Sequence, residues 1–179
     1  MFKSENLNSW DAGGQSSVDL ALSDVPLLAK ALAKRFRPLD FMLLSGDLGA
    51  GKTTFVAHLA RSMGSQQLVA SPTFSLLNVI DLPNSVADSV ARICHMDLYR
   101  IRRAEELMHL GLEIEFSASA IAIIEWSENV EGEGWKRFFD FTRCKKPMRI
   151  LTLSIENLPD SEKRRYSFDW LSFNDFTSD

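Results

Sequence analysis

A glycine-rich segment carries the clearest chemical signal in the chain. Residues 46–53 read GDLGAGKT and fit the pattern G-x-x-x-x-G-K-[ST] of a phosphate-binding loop. Small residues let successive backbone N–H groups turn toward a phosphate, and the N-terminus of a following helix adds partial positive charge. Lys52 supplies a cation for the β and γ phosphates, and the Thr53 hydroxyl is a ligand for Mg²⁺. We predict that nucleotide binding involves Gly46, Asp47, Gly49, Ala50, Gly51, Lys52, Thr53 and Thr54.

A bound Mg²⁺ also calls for a carboxylate from a neighbouring strand, and two strand ends offer one. Asp97 follows the moderately apolar residues 93–96, and Glu125 follows five apolar residues at 120–124. Glu125 is the favoured ligand, because α/β folds bind ligands at the carboxyl ends of central strands. Asp97 stays open as an alternative ligand or as a residue that orients water. Either carboxyl group could instead cap a helix or face solvent.

Several side chains near these motifs permit two interpretations. His95 could tune a metal site, but a single histidine on a strand is more often structural. Arg100, Arg102 and Arg103 could bind phosphate or RNA, or could be solvent-exposed partners of the glutamates that follow them. Trp126 could pack in the core or lie under a ligand.

Four ordered segments together carry a resemblance to a known family. They are residues 46–55 (GDLGAGKTTF), 71–76 (SPTFSL), 95–100 (HMDLYR) and 124–128 (IEWSE). In this order they closely resemble the TsaE family, formerly called YjeE, over roughly residues 17–130. The resemblance implies a bacterial cytoplasmic ATPase that supports synthesis of threonylcarbamoyladenosine beside the anticodon of tRNA. It also implies that the protein acts with the TsaB and TsaD proteins.

The resemblance further implies roles for two residues. The Ser-Pro-Thr segment resembles a switch segment, which puts Thr73 near the γ phosphate, and the acid of the Glu-Trp pair corresponds to a magnesium ligand, Glu125. We therefore expect ATP and Mg²⁺ as cofactors, contact with tRNA through the partner complex, and slow hydrolysis without partners. The catalytic assignment is Lys52, Thr73, Asp97 and Glu125, and the metal assignment is Thr53, Glu125 and Asp97.

Apolar runs that alternate with helical patterns position these motifs. A short apolar run at 41–44 precedes the glycine-rich segment, and Phe55, Val56 and Leu59 share one face of the helix expected after it. The continuous apolar run at 120–124 is typical of a strand buried on both faces of a largely parallel sheet. The pattern predicts an α/β, P-loop NTPase-like three-layer fold with a mostly parallel central sheet.

The C-terminal part has a different pattern. Residues 138–142 and 149–155 are strand-like and flank a short polar turn, which predicts a C-terminal antiparallel hairpin. Residues 166–171 predict a further edge strand. For the whole chain we predict a loose N-terminal lead-in at 1–16, one ATPase domain at 17–173 and a frayed C-terminus at 174–179.

Composition limits the classes of protein that remain. The chain has 179 residues, of which 45% are hydrophobic and 25% charged, as in one globular domain. A net charge of −4 provides no overall attraction for nucleic acid. No apolar run approaches the ~18 residues of a membrane span, so no membrane contact is expected. Two cysteines without a CxxC pair exclude a thiolate metal cage, and the polar start of the chain indicates a cytoplasmic protein.

A small-molecule P-loop kinase is the competing function. Arg100, Arg102 and Arg103 could then act as a lid over the transferred phosphate, although no separate acceptor-binding segment is evident. A GTP-dependent switch is disfavoured, because the guanine-reading pattern N/T-K-x-D is absent. ATP hydrolysis measured alone, with candidate acceptors, and with TsaB and TsaD distinguishes these functions.

Overall fold

A computed structural model of the chain describes residues 15–83, 90–141, 146–147 and 149–177. Its strands are β1 (Ser16–Leu20), β2 (Phe41–Ser45), β3 (Leu77–Asp81), β4 (Arg92–Asp97), β5 (Ala120–Glu125), β6 (Ile150–Asn157) and β7 (Arg164–Leu171). Its α-helices are α1 (Val25–Ala33), α2 (Lys52–Ser62), α3 (Leu112–Glu115), α4 (Gly132–Phe141) and α5 (Phe173–Phe176). Short 3-10 helices occupy Leu22–Asp24, Ala104–His109 and Ser127–Asn129.

The strands form one mixed sheet in the order β1-β7-β6-β2-β5-β4-β3. The central strands β6, β2, β5 and β4 are parallel to their neighbours within this group. Strand β3 is antiparallel to β4, β7 is antiparallel to β6, and β1 is antiparallel to β7. The carboxyl ends of the four central strands therefore lie at the same end of the sheet, where β2 leads into the glycine-rich segment and β4 and β5 end at Asp97 and Glu125.

Apolar side chains pack on both faces of this sheet. Alternate residues of β2 point to opposite faces, so Met42 and Leu44 join the apolar cluster of α1 and α2, whereas Phe41 joins the cluster of α4. Every residue of β5 is buried, as the continuous apolar run predicts. The prediction of an α/β fold with a mostly parallel centre is confirmed.

The C-terminal prediction is right in kind and wrong in place. The predicted strand at 138–142 is part of helix α4 as far as residue 141, while residue 142 lies outside the described residues. Trp135, Phe138 and Phe139 are buried together, because a spacing of three and four residues puts them on one helical face. The antiparallel hairpin is formed by β6 and β7 instead.

Strand β7 is not the predicted edge strand. Its outer side pairs with β1 from Ser16 to Leu20, so β7 lies inside the sheet. At the C-terminus, α5 occupies part of the segment predicted to fray, and the Ser172 hydroxyl caps that helix by accepting from Asp175 N. The division into lead-in, domain and end remains a prediction, and residues 1–14 of the lead-in lie outside the described residues. None of the described helices is long and apolar enough to cross a membrane.

Candidate functional site

The glycine-rich loop connects the end of β2 to the start of α2, as its sequence predicts. Gly46, Gly49 and Gly51 have positive φ angles of 133°, 79° and 99°, a region that disfavours residues with a β-carbon. At Gly46 there is also no space, because a β-carbon would lie 2.3 Å from the carbonyl oxygen of Ile155 in β6. The glycines thus allow the tight turn that brings backbone N–H groups to the N-terminus of α2.

Lys52 is the first residue of α2 and is nearly buried, with 5% of its surface exposed. Its Nζ donates hydrogen bonds to the carbonyl oxygens of Gly46 and Asp47, the latter at 3.0 Å, and lies 3.5 Å from the ring centroid of Trp126. Burial lowers the pKa of this ammonium group, and the negative charge of Glu128 opposes that effect. The ammonium group is therefore held over the loop among carbonyl oxygens and an aromatic face.

Glu125 lies at the end of β5 and is 2% exposed. Its Oε2 accepts a hydrogen bond of 3.0 Å from Thr53 Oγ1 in the first turn of α2. Its Oε1 lies 2.8 Å from His95 Nε2, so both carboxyl oxygens have a partner. The structure thus brings the favoured metal ligand and the predicted metal-binding hydroxyl into direct contact.

Asp97 ends the neighbouring strand β4 and is also 2% exposed. Although Asp97 and Glu125 are paired in the β4–β5 register, their partners differ. Asp97 Oδ2 accepts from the hydroxyls of Ser71, at 2.7 Å, and of Thr73, while Oδ1 accepts from Tyr99 N. Asp97 therefore holds the Ser-Pro-Thr segment, whereas Glu125 holds the start of α2.

These residues surround a cavity of about 500 Å³. Its lining includes Gly49, Gly51, Lys52, Thr53, Thr54, Ser71, Thr73, Asp97, Tyr99, Glu125 and Trp126. All four residues of the catalytic assignment line this cavity, and its size suits a small-molecule ligand. Trp126 lines the cavity and also packs against the apolar cluster of α4, with its ring centroid 4.9 Å from that of Tyr99.

The structure places His95 beside the favoured metal ligand. The side chain is fully buried, contacts Glu125, and leaves Nδ1 without a hydrogen-bond partner among the described residues. Because His95 and Asp97 are two residues apart on β4, both side chains lie on the same face of the strand, and this spacing was a usable signal. Glu128 was also missed, and its Oε1 accepts from Gly46 N at 3.3 Å.

The arginines near Tyr99 contribute less to the cavity. Arg100 and Arg102 line an adjoining cavity of about 660 Å³, and the Glu106 carboxylate accepts from the backbone N–H groups of Arg102 and Arg103. Among the described residues, no group of three or more histidine, cysteine, aspartate and glutamate side chains could hold a metal ion. Cys94 is a buried thiol, and Cys144 lies outside the described residues.

The fold is similar to that of a solved protein. The crystal structure of YdiB from Bacillus subtilis superimposes with a TM-score of 0.64, at 24% sequence identity, and the match covers 92% of this chain and 90% of that one. At this identity the likeness concerns the fold alone.

Sequence comparison identifies the family. The tRNA threonylcarbamoyladenosine biosynthesis protein TsaE of Rickettsia typhi is 40% identical over 104 residues, which are 58% of this chain and 67% of that protein. The protein of the same name from Rickettsia felis is 41% identical over 105 residues, which are 58% of this chain and 57% of the Rickettsia felis protein. The matches thus span about three fifths of such relatives. The sequence model of the family described as threonylcarbamoyl adenosine biosynthesis protein TsaE matches residues 21–163, and this chain therefore belongs to the TsaE family.

Proposed function

We propose that this protein binds and hydrolyses ATP in support of threonylcarbamoyladenosine synthesis in tRNA. The observation that carries the proposal is the 3.0 Å hydrogen bond between Thr53 Oγ1 and Glu125 Oε2. It brings a hydroxyl at the N-terminus of α2 and a buried carboxylate together beside the glycine-rich loop. The names of the family and of its relatives support the role in tRNA modification. A P-loop NTPase-like architecture, a single domain and a cytoplasmic location belong to the same proposal.

The donor set at this point fits Mg²⁺. Magnesium prefers oxygen ligands, takes few from the protein, and completes its octahedron with phosphate oxygens and water. Thr53 and Glu125 offer a hydroxyl and a carboxylate on neighbouring elements, and Asp97 lies one strand away. When bound, the ion neutralises charge on the β and γ phosphates. Thr53 and Glu125 would hold it, and Asp97 is the alternative ligand.

Lys52 and the loop would bind the phosphates. The N–H groups at the start of α2 present partial positive charge, and Lys52 adds a full charge directly over the loop. A phosphate oxygen is a stronger acceptor for this ammonium group than the carbonyls of Gly46 and Asp47. In our proposal Lys52 therefore exchanges these carbonyl contacts for β- and γ-phosphate oxygens.

Asp97 would couple the phosphates to the Ser-Pro-Thr segment. Ser71 and Thr73 both donate to Asp97 and line the same cavity as Lys52. A γ phosphate placed there competes for these hydroxyls and changes the position of the segment. A partner that binds one arrangement more tightly is then sensitive to the nucleotide. We propose TsaB and TsaD as these partners, with tRNA contacted through them.

ATP hydrolysis and partner binding test this function together. We expect slow hydrolysis by the protein alone, faster hydrolysis with TsaB and TsaD, and partner affinity that differs between ATP and ADP. The folded Lys52→Ala variant is the control for contaminating ATPases and should hydrolyse no ATP. Equal partner affinity with ATP, with ADP and without nucleotide, together with unstimulated hydrolysis, would refute the proposed role.

A small-molecule kinase is the second candidate, and one observation favours it. The cavity lined by Arg100 and Arg102 adjoins the first one, and the two share Tyr99 and Trp126. Cationic side chains beside a γ-phosphate site could bind an acceptor. Phosphate transfer to a small acceptor at a rate above that of hydrolysis would favour the kinase.

A further inference from the structure

Arg164 lies against the glycine-rich loop from the side opposite to the carboxylates. It is the first residue of β7 and is separated from Gly51 by 113 positions in the chain. A β-carbon on Gly51 would lie 2.6 Å from Arg164 Nη1, so the guanidinium group is in contact with the loop. No sequence motif pointed to this residue.

A neutral side chain holds the guanidinium in place. Arg164 Nε donates to Asn157 Oδ1 at 3.2 Å, and Asn157 is its cross-strand neighbour in the β6–β7 register. Tyr166, two residues along β7, is 1% exposed, and burial raises the pKa of its hydroxyl while the positive charge of Arg164 opposes that shift. Among residues 15–83, 90–141 and 149–177, Arg164 forms no ion pair with a carboxylate. Its positive charge is thus positioned but not neutralised.

The position of this charge is unfavourable unless an anion binds. Gly51 is the N-cap residue of α2, where the helix dipole places partial positive charge, and Lys52 follows it. A guanidinium at this end of a helix is repelled by the helix dipole and by Lys52. A phosphate there would be attracted by the helix N-terminus, by Lys52 and by Arg164. The arrangement therefore matches an anion that contacts the loop near Gly51.

The sheet order indicates which phosphate this is. Strand β2 leads into the loop, with β5 and β4 on one side and β6 and β7 on the other. Glu125 and Asp97 mark the first side, where the proposed function puts Mg²⁺ and the γ phosphate. Arg164 lies on the second side, so a nucleotide whose γ phosphate lies at the carboxylates would extend its α-phosphate end toward Arg164.

We infer that Arg164 binds the α phosphate of the nucleotide. The inference rests on the proposed function, because the carboxylates that would hold Mg²⁺ are what identify the γ-phosphate end of the site. The planar guanidinium can donate two N–H groups to phosphate oxygens while Nε stays bound to Asn157. Arg164 is thus a nucleotide-binding residue shared by ATP and ADP, since both contain the α phosphate.

Calorimetric titration of ATP and of ADP into the full chain, with Mg²⁺, tests this inference. Arg164→Ala should lower the affinities for ATP and for ADP by the same factor, roughly 10- to 100-fold, which is the usual effect of losing charge-assisted hydrogen bonds. Arg164→Lys should recover part of this loss. The matched control is Arg165→Ala on the opposite face of β7, where Arg165 pairs with Asp19, and nucleotide affinity should not change.

The titrations distinguish failure of the proposed function from failure of the inference about Arg164. If the wild-type protein binds neither nucleotide, the proposed function fails, and this inference fails with it. If the wild type binds both and neither Arg164 variant loses affinity, the inference alone is wrong. A loss confined to ATP would also overturn it, because the side chain would then lie at the γ phosphate. If Arg164→Ala does not fold, Arg164→Gln replaces it, since it is neutral but keeps hydrogen-bond donors, and the same outcomes apply.

Discussion

Glu125→Gln changes the charge at the centre of the proposed magnesium site while retaining the size of the side chain. The glutamine oxygen can still accept from Thr53 Oγ1, and its NH₂ group can donate to His95 Nε2 in the appropriate tautomer. Both partners of Glu125 therefore stay hydrogen bonded, and we expect the free energy of unfolding to change by less than about 1.5 kcal/mol. Glu125→Ala, in contrast, leaves the buried His95 Nε2 without its partner, at about 1–3 kcal/mol, and also removes the acceptor of the half-buried Thr53 hydroxyl.

Magnesium affinity should respond far more strongly than stability. Replacing a carboxylate ligand by an amide removes the negative charge that attracts the cation, and we expect at least a tenfold loss, about 1.4 kcal/mol. The assay is a Mg²⁺ titration of ATP hydrolysis and of ATP binding, with binding in excess chelator as the metal-free reference. Metal-free nucleotide binding should be largely retained, because the loop and Lys52 are unchanged.

A matched control separates the loss of this ligand from the loss of any negative charge. Glu133→Gln makes the same chemical change at a glutamate that is 57% exposed on α4 and pairs with Arg137. Its Mg²⁺ midpoint should equal that of the wild-type protein. A folded Glu125→Gln variant with an unchanged Mg²⁺ midpoint would refute our reasoning and move the metal role to Asp97.

Three further variants and one labelling reaction test other parts of the structure. Gly46→Ala should lower the free energy of unfolding by roughly 2 kcal/mol or more, because the new β-carbon clashes with the backbone at a residue of positive φ. At Gly49 a β-carbon meets open space, so Gly49→Ala should lower it by about 1 kcal/mol. Urea unfolding measures both changes. Thr73→Ala removes a donor to Asp97. If TsaB and TsaD are the partners as proposed, the ratio of their affinities for the ATP-bound and ADP-bound protein should fall toward one in binding titrations. Burial raises the pKa of Cys94 to about 12, so its thiol should stay protonated and unlabelled by iodoacetamide at pH 8 until urea unfolds the chain, as peptide mapping would show.

The loop and the favoured carboxylate were predictable because their signals are local. The spacing of glycines in residues 46–53 and the continuous apolar run before Glu125 need no knowledge of the rest of the chain. The signal for helix α4 is equally local, since Trp135, Phe138 and Phe139 have helical spacing. The strand prediction at 138–142 is wrong because, in so short an apolar segment, the helical and strand patterns cannot be distinguished.

Contacts between distant segments could not be predicted in the same way. The interior position of β7 depends on its pairing with β1, more than 140 residues earlier, and no local pattern specifies that pairing. The contact of Glu125 with His95 requires the parallel register of β4 and β5. Arg164 reaches Gly51 because β6 and β7 turn back beside the loop. Each of these depends on tertiary structure, which residue spacing along the chain does not determine.

The placement of polar groups and strained backbone argues that this edge of the sheet is built for a ligand. Asp97 and Glu125 are cross-strand neighbours, and both are almost completely buried, which costs free energy even when hydrogen bonds are made. Of the four non-glycine residues with positive φ in the described chain, Leu76 ends the Ser-Pro-Thr segment and Trp126 lines the cavity, whereas Leu39 precedes β2 and Asp160 lies between β6 and β7. Folding stability alone favours neither feature, and buried polar groups and strain are typically concentrated at functional sites. Because the buried carboxylates and the positive φ of Trp126 both occur beside Lys52 and the glycine-rich loop, a ligand bound at that point accounts for them together.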